Sequence, residues 1–368
     1  MSKIIVTGRF GHQARGLWHL TKISWGVLAR RMLGRPLVPT WSAVFEIGTL
    51  FYREQFNHAF SLGDMAEARA YFDAVYTVVD ANLPVSMHAT GGADTPHQPK
   101  GHWIRPLMTL PADCPTVLYL HGGGYAFYAK VTQHFMQSLS HALQLPLFAL
   151  DYRLTPEHPY PAQLDDAISA YRYLLAQGMA PQKIVIAGDS AGGQLVLNML
   201  VRLQELSLPQ PAIGIALSPW TDSGLRGVSQ FGNDVYDMVQ GYQTQLFSRW
   251  LKAGTPYTDR DVSPIYRQFK DTAPVYLQAG GKEILVDMIR DFAHELKQQG
   301  ATVLLDVWPH MTHEFHAYGG TLPESRAAIA RIKTSIAWSQ QSASSTFPAI
   351  EETEVSQLSE PVPDLCSA

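Results

Sequence analysis

Cysteine and net positive charge are both scarce in this chain of 368 residues. Its two cysteines are Cys114 and Cys366, and the second lies in a polar tail, so we expect neither a disulfide framework nor a cysteine-based metal site. The formal net charge is −4 at pH 7, which provides no whole-chain basic field for nucleic acid. The composition therefore argues against a disulfide-rich secreted domain and against a nucleic-acid-binding protein.

Long hydrophobic runs are also absent from the sequence. No stretch of about 18 or more apolar residues occurs, so we predict no membrane span. The first residues, "MSKIIVTGRFGHQARG", lack the apolar core and the small-residue cleavage site of a secretory signal, so we expect a cytoplasmic protein. With 46% hydrophobic and 16% charged residues, the chain has the composition of a folded globular protein.

Short apolar segments rich in β-forming residues recur after residue 115. They are "TVLYL" (116–120), "PLFAL" (146–150), "KIVIAG" (183–188), "IGIAL" (213–217), "PVYLQAG" (274–280) and "TVLLDVW" (302–308). Helix-forming stretches separate most of them, including 161–178, 191–206 and 285–300. This alternation predicts an α/β fold with a mostly parallel central sheet and helices on both faces.

The N-terminal region has a different, mainly helical pattern. The stretch "WHLTKISWGVLARRMLGR" (18–35) is basic and has helical apolar spacing, with Trp18 and Trp25 seven residues apart. Two interpretations stay open for this helix. It packs on its own protein, as most amphipathic faces do, or it lies on a membrane or an oily substrate surface.

Three further segments complete the organisation of the chain. A second N-terminal helix is predicted over 63–80, with Asp64 as its N-cap. The aromatic, loop-like stretch 218–270 interrupts the alternation of strands and helices and is interpreted as an insertion above the sheet. The tail after residue 340 has no Lys or Arg and little periodicity, so we expect it to be disordered.

The stretch "KIVIAGDSAGGQ" (183–194) ends a predicted buried strand on a serine among small residues. "GDSAGG" has the form G-x-S-x-G, with Ser190 between Gly188 and Gly192, and it lies between a strand and a helix. A tight strand-to-helix turn strains the backbone of the serine and leaves room only for small neighbours. In this context we favour a nucleophilic serine over a glycine-rich helix start with a capping serine.

A serine hydroxyl needs a base to take its proton, and the base needs a carboxylate to orient it. Candidate bases follow the last strand in "WPHMTHEFH": His310, His313 and His316. Candidate acids follow the preceding strand in "GGKEILVDM": Glu283 and Asp287. Both groups are expected at the carboxyl ends of strands, where an open α/β sheet places its site. Three close histidines also suggest a metal, but no cluster with metal-ligand spacing supports one, so we expect no metal and no cofactor.

A glycine-rich loop, "LYLHGGGYAFY" (118–128), follows the first of these strands. Gly122, Gly123 and Gly124 expose backbone N–H groups with no side chain in the way. Such a loop can donate hydrogen bonds to the oxyanion of a tetrahedral intermediate. Three glycines directly after a buried strand favour this interpretation over a flexible turn.

Together these motifs resemble the hormone-sensitive-lipase family of α/β-hydrolases, the bacterial carboxylesterases with an HGGG loop. The matching stretches are "HGGGY" (121–125), "DYRLTPEHPYPAQLDD" (151–166), "GDSAGG" (188–193), "SPWTD" (218–222), "GGKEILVD" (280–287) and "MTHEF" (311–315). The resemblance extends over about 103–338 and implies an α/β-hydrolase fold with a helical cap.

The resemblance implies roles for individual residues. Ser190 would be the nucleophile and His313 the general base. Glu283 would be the acid, at a position where the family more commonly has Asp, and Asp287 is the alternative. The oxyanion would be bound by three backbone N–H groups, those of Gly123, Gly124 and Ala191.

Other residues of these motifs are expected to support the site. His121 and Gly122 would shape the oxyanion loop, and Asp189 directly precedes the nucleophile. A network that braces the loop is implied by a further set: Tyr152, Arg153 and Glu157. His310 stands where the family usually has Gly, which makes it a bystander or a residue that contacts substrate.

The family also has a cap over its site, and we divide the chain accordingly. The segments are an N-terminal helical cap region (1–100), a first part of the catalytic core (101–217), a cap insertion (218–270), a second part of the core (271–338) and a disordered tail (339–368). Seven aromatic residues would line an acyl or alcohol pocket or form the core of the cap: Phe10, Trp18, Trp25, Trp41, Trp220, Tyr236 and Trp250.

These features imply a carboxylesterase that acts on small short- to medium-chain esters through a Ser-His-Glu triad and an acyl-enzyme, as a monomer or homodimer. A long-chain lipase, an amide-cleaving acyl hydrolase and a non-catalytic binding protein on the same fold remain as alternatives. A weak interfacial contact through the N-terminal helix would favour the lipase. The lack of a clear substrate-pinning charge disfavours a peptidase.

Overall fold

The computed structural model describes residues 2–5, 7–74, 77–80, 82–93 and 97–341. The predicted disordered tail (339–368) was placed too early by at least one residue, because Ser339 still belongs to the last helix. The tail lies outside the described residues from position 342 onward. The strands are β1 (Ser2–Ile5), β2 (Thr77–Asp80), β3 (Val85–Thr90), β4 (Gly101–Pro106), β5 (Thr116–Leu120), β6 (Leu147–Leu150), β7 (Ile184–Asp189), β8 (Ile213–Leu217), β9 (Val275–Gly280) and β10 (Val303–Trp308).

The α-helices of the described residues alternate with most of these strands. They are α1 (Phe10–Met32), α2 (Ala43–Ser61), α3 (Met65–Phe72), α4 (Lys130–Leu143), α5 (Ala162–Ala176), α6 (Ala191–Glu205), α7 (Ser229–Gly232), α8 (Gly241–Lys252), α9 (Asp259–Val262), α10 (Val286–Gln298) and α11 (Pro323–Ser339).

Eight strands form one sheet in the order β10-β9-β8-β7-β5-β6-β4-β3. Neighbours from β10 to β6 run parallel, and β4 pairs antiparallel with both β6 and β3. Every residue of β5, β7, β8, β9 and β10 is buried, as expected for strands covered on both faces. The six strands predicted from sequence agree with the structure to within one residue at each end, and the predicted α/β fold is confirmed.

Two groups of helices cover the two faces of the sheet. Apolar residues of α5, α6 and α10 pack on one face, and those of α4 and α11 pack on the other. These helices therefore bury apolar residues against the sheet, and α6 is buried almost all round. The carboxyl ends of the parallel strands are left for loops.

The sheet begins earlier than the predicted boundary at residue 100. β3 pairs with β4 from Val85 opposite Pro106 to Thr90 opposite Gly101, so β3 belongs to the central sheet and not to the cap. β3 is an edge strand whose residues are all partly or fully exposed. Its sequence, "VSMHAT", consequently has too weak an apolar signal for a strand to be predicted.

The helix predicted over 63–80 corresponds to α3, and it is shorter than predicted. Asp64 is its N-cap as expected, since its carboxylate accepts a hydrogen bond from the N–H of Glu67 at 2.7 Å. The helix ends at Phe72, however, and 77–80 is strand β2, which pairs antiparallel with β1. The β-branched residues in "TVVD" favour this strand over a continued helix.

Helix α1 is attached to α2 by packing and by a buried ion cluster. Val27 is fully buried between the helices. The Glu46 carboxylate is also fully buried, and it accepts hydrogen bonds from Arg30 at 2.7 Å and from Arg31 at 2.9 Å. Because a buried carboxylate without a cation is costly, this cluster fixes α1 on the protein.

The opposite side of α1 exposes large apolar residues. Trp18 is 64% exposed and Trp25 is 68% exposed. The helix therefore packs on its own protein along one side only, and the interpretation of its outer side as an interfacial surface stays open. None of the helices in the described part of the chain has the length and hydropathy that a membrane crossing requires.

A buried ion pair attaches α11 to the sheet. The Asp306 carboxylate of β10 accepts hydrogen bonds from Arg331 Nε at 2.7 Å and Nη2 at 3.0 Å, and from Tyr276 Oη at 2.7 Å. Both charged side chains are almost completely buried.

We expect Asp306→Ala to lower the free energy of unfolding by about 3 to 5 kcal/mol, because it leaves the Arg331 charge buried without its partner. Urea denaturation measures this loss. The control is Asp113→Ala, since the Asp113 side chain is mostly exposed and its substitution should change little. Equal unfolding midpoints for the two variants would contradict the assignment.

Candidate active site

Ser190 occupies a strained turn between β7 and α6. Its backbone has φ 53° and ψ −118°, outside the regions that serine ordinarily adopts. The turn also packs tightly against the end of β5. A Cβ atom at Gly188 would lie 2.5 Å from the Leu120 carbonyl oxygen, and one at Gly192 would lie 2.0 Å from it. Gly188 and Gly192 are therefore required by packing.

The structure brings one of the three candidate histidines to this serine. His313 follows β10, and its Nε2 lies 2.9 Å from Ser190 Oγ. His310 is exposed, and its carbonyl oxygen accepts a hydrogen bond from the Trp41 indole. His316 is buried, and burial lowers its pKa to about 3, so the ring is neutral. Within the described residues, no group of three or more His, Cys, Asp or Glu is arranged to hold a metal ion.

The two candidate acids lie in different environments. The Glu283 side chain is fully buried, and its Oε2 lies 3.6 Å from Nδ1 of His313. This distance is that of an ion pair and is longer than a hydrogen bond, as is common before substrate tightens a catalytic site. Asp287 accepts a hydrogen bond from the N–H of Ser229 at 2.9 Å and so binds the insertion. The geometry favours Glu283 as the partner of the base.

Carboxylates dominate the electrostatics around His313. Burial alone would lower the pKa of its imidazole. Glu283 and Asp237 oppose this effect, and the pKa of His313 lies above its ordinary value. These charges therefore stabilise the imidazolium that forms when the ring takes a proton.

The glycine-rich loop after β5 lies beside Ser190. Gly123 and Gly124 line the cavity beside Ser190, with φ values of 97° and 62°. Both values lie in the left-handed region that favours glycine. Among the described residues, none accepts a hydrogen bond from the backbone N–H of Gly123, Gly124 or Ala191. The three predicted oxyanion donors are therefore uncommitted.

Aromatic stacking braces this loop from behind. The His121 ring lies between the rings of Tyr128 and Tyr152, with centroid distances of 3.9 and 4.1 Å. Burial lowers the pKa of His121 to about 4, so the ring is neutral and its Nδ1–H donates to the Gly122 carbonyl at 2.7 Å. The Tyr152 hydroxyl donates to the His121 carbonyl at 2.6 Å.

Arg153 and Glu157 do not form the single network that the resemblance implied. Arg153 pairs with Asp166, and Glu157 pairs with Arg69 of α3. Arg69 also donates to the Ala126 carbonyl at 2.8 Å, just after the oxyanion loop. Glu157 thus supports the oxyanion loop through Arg69, a cap residue 88 positions away in sequence.

Asp189 connects the nucleophile turn to the oxyanion loop. Its carboxylate accepts hydrogen bonds from the Gly122 N–H at 3.0 Å and from the Tyr119 hydroxyl at 2.6 Å. A third hydrogen bond comes from the Glu314 carboxyl. Burial and the charge of Asp189 raise the pKa of Glu314 well above its ordinary value, so Glu314 carries the proton of the pair.

Glu314 is a site residue for which the sequence suggested no role. Its Oε1 lies 3.7 Å from Nε2 of His313, and it lines the cavity. The only sequence feature that could have indicated a role for Glu314 was its position directly after His313. A neutral carboxyl therefore stands beside the atom that exchanges protons with Ser190.

Asp237, from the insertion, is a second residue that sequence reasoning missed. Its fully buried carboxylate accepts hydrogen bonds from the His313 N–H at 3.0 Å and from the Ile284 N–H at 2.7 Å. Burial and the nearby Glu283 charge raise the pKa of Asp237 to about 7. Asp237 thus holds together the loop that carries the base and the loop that carries the acid.

A largely apolar cavity of about 500 Å³ lies over these residues. Of the seven aromatic residues expected to line it or to form the cap core, Trp220 lines it. Trp41 is buried, and Tyr236 and Trp250 are partly buried against the hydrophobic core. The other three are exposed: Phe10, Trp18 and Trp25. The main aromatic lining of the cavity comes from α2, α8 and the loop after β5: Phe51, Tyr52, Phe56, Phe127 and Phe247.

Comparison with known proteins agrees with this geometry. The family described as "alpha/beta hydrolase fold" matches residues 117–317, which is more than half of the chain. An acetyl-hydrolase of Streptomyces hygroscopicus is 35% identical over 62% of this chain and 76% of its own length.

Solved structures give the same assignment. EstE5 soaked with p-nitrophenyl butyrate has a TM-score of 0.67 and 31% identity, and the match covers 75% of this chain and 92% of that one. An esterase of the bacterial hormone-sensitive lipase family has a TM-score of 0.66 and 27% identity, over 91% and 100% of the two chains. The chain therefore belongs to the α/β-hydrolase fold family, as a carboxylic ester hydrolase of the hormone-sensitive-lipase type.

Proposed function

We propose that this enzyme hydrolyses short- to medium-chain carboxylic esters through an acyl-enzyme on Ser190, with His313 as base and Glu283 as acid. The observation that carries the proposal is the 2.9 Å contact between Ser190 Oγ and His313 Nε2 beneath an apolar cavity. The three backbone N–H groups beside the serine support it, because acyl transfer requires donors for an oxyanion.

In the acylation step, Ser190 Oγ attacks the ester carbonyl carbon while Nε2 of His313 accepts the hydroxyl proton. Glu283 stabilises the resulting imidazolium and keeps the ring oriented. The tetrahedral oxyanion accepts hydrogen bonds from the N–H groups of the two loop glycines and of Ala191. The C–O bond to the alcohol then breaks, and Nε2 returns the proton to the departing oxygen.

In the deacylation step, a water molecule attacks the acyl carbon of the ester on Ser190. His313 accepts a proton from this water, and a second oxyanion forms in the same place. The bond to Oγ breaks, Oγ regains the proton from His313, and the carboxylic acid leaves. None of these steps calls on a metal or an organic cofactor.

The cavity lining supports neutral, aliphatic esters as substrates. Its walls are mainly apolar, and no Lys or Arg lines it in the described part of the chain. The protonated Glu314 and its partner Asp189 place carboxyl groups near the reaction centre. A substrate with a free carboxylate near the ester would therefore lack a cation and meet negative charge.

We expect activity on p-nitrophenyl esters to be highest for short and medium acyl chains, because bulky aromatic side chains line a cavity of about 500 Å³. Ser190→Ala should lose at least about 10⁴-fold in kcat. A steady-state assay across acyl lengths measures both effects. Highest activity on emulsified long-chain esters would contradict the chain-length assignment, and retained activity in Ser190→Ala would contradict the nucleophile.

The isosteric pair Glu283→Gln and Asp287→Asn separates the two candidate acids. Glu283→Gln should lower kcat by about 10³- to 10⁴-fold, since the imidazolium loses its carboxylate. Asp287→Asn keeps an oxygen for the Ser229 N–H and should retain most activity. The reverse ranking would assign the acid to Asp287.

The positioning role of Asp237 predicts a change in pH dependence. Asp237→Asn removes a charge that raises the pKa of His313, and it leaves the Ile284 N–H opposite a donor. We expect kcat/KM to fall roughly tenfold to a hundredfold. Activity needs the neutral imidazole, so the acidic limb of the pH profile should move to lower pH.

Asp234→Asn is the matched control for this variant. It makes the same change three residues away, where the side chain accepts from the Gly241 N–H at 2.8 Å. Its pH profile should equal that of the wild type. An Asp237→Asn enzyme with reduced activity and an unmoved acidic limb would show that Asp237 has a packing role only.

A further inference from the structure

The outer side of α1 carries six exposed large apolar side chains. We call this row the outer stripe, and its members are Phe10, Leu17, Trp18, Trp25, Leu28 and Met32. Phe10 is 84% exposed and both tryptophans are about two-thirds exposed. Isolated exposed apolar residues are ordinary, but a row along a whole helix is the feature that marks an interaction surface.

Helix geometry puts the stripe opposite the side that the protein buries. With a rotation of about 100° per residue, its members fall within an arc of about 100° around the helix axis, so they lie on one side of the helix. The buried residues of α1 are Gly16, His19 and Val27, which lie on the other side of the helix. The helix is therefore apolar on two sides, and intramolecular packing uses only one of them.

Positive charge accompanies the outer stripe. The first acidic residue of the chain is Glu46, so α1 carries none. Arg15, Trp18, Lys22 and Trp25 follow one another at intervals of three and four residues, which alternates cations and indole rings along one side. Arg15 and Lys22 are exposed, and no carboxylate of the described residues lies within ion-pair distance of either.

The stripe also adjoins the active-site cavity. Leu20 of α1 lines the cavity and, with Trp25 and Leu28, also lines a shallow groove on the outer surface. Val44 of α2, which is 77% exposed, lines the cavity too. A surface that covers the stripe would therefore lie against the wall of the cavity.

We propose that the outer stripe docks on the surface of an anionic phospholipid bilayer, with its tryptophans among the headgroups. Alternating cations and aromatic rings match a surface that is negative outside and apolar just beneath. A second copy of the chain fits less well, since a two-fold contact would bring the rows of Arg15 and Lys22 toward one another. Docking goes beyond the proposed ester hydrolysis and requires no catalysis.

Vesicle co-sedimentation of the full chain tests the proposal. Ether-linked phosphatidylglycerol and phosphatidylcholine vesicles are used, because ether lipids offer no carboxylic ester to cleave. We expect binding at least tenfold tighter to phosphatidylglycerol than to phosphatidylcholine, and weaker as salt increases. Because binding is measured without hydrolysis, an inactive enzyme that docks and an active one that does not are distinguishable.

Two variants and one control assign the surface. Trp18→Ser/Trp25→Ser should weaken binding at least tenfold, and Arg15→Gln/Lys22→Gln should remove most of the salt dependence. The control, Leu225→Ser/Val228→Ser, removes two equally exposed apolar residues elsewhere and should bind as the wild type does. Hydrolysis of a dissolved short ester should be unchanged in all of them, which verifies folding.

Three results would overturn the proposal. The first is no binding to phosphatidylglycerol by the wild type. The second is binding that the Trp18→Ser/Trp25→Ser variant retains. The third is a wild-type dimer in analytical ultracentrifugation that this variant converts to monomer without any vesicle binding, which would assign the stripe to a second copy.

Discussion

The strained turn at Ser190 is the constraint on which the rest of the site depends. It is possible only because Gly188 and Gly192 let the turn approach the carbonyl oxygen of Leu120 at the end of β5. This approach places the nucleophile at the start of α6 and next to the glycine-rich loop that follows β5. One close backbone contact in the middle of the sheet thus sets both the serine and the oxyanion donors.

Two buried carboxylates hold the surrounding loops in place by accepting hydrogen bonds from their backbone N–H groups. Asp189 holds the oxyanion loop through the N–H of Gly122, and Asp237 holds the loops of the base and the acid through the N–H groups of His313 and Ile284. Each joins segments that are distant in sequence. Since Asp237 comes from the insertion, the cap contributes to the positioning of the base as well as to the covering of the cavity.

The central sheet and the motif residues can be predicted from the sequence, because buried parallel strands and a nucleophile turn impose strong local patterns. The sequence does not reveal β3, since an edge strand needs no continuous apolar run. The role of Asp237 could not be predicted for another reason. Asp237 accepts hydrogen bonds from backbone groups 47 and 76 residues away, and such long-range contacts leave no local sequence pattern. The pairing of Glu157 with Arg69 is equally non-local. Of the seven aromatic residues considered for the cavity, the three of α1 are exposed, and the aromatic lining near the serine comes partly from α2.

The central claim is that Ser190 attacks the carbonyl carbon with its proton taken by His313. The most direct measurement is reaction with a p-nitrophenyl alkylphosphonate, which forms a stable phosphonyl ester with an activated serine. We expect release of one equivalent of p-nitrophenol per chain and an adduct on the peptide that contains Ser190, with labelling slowed strongly in His313→Ala. An adduct on another residue, or none at all in an enzyme that hydrolyses esters, would contradict it.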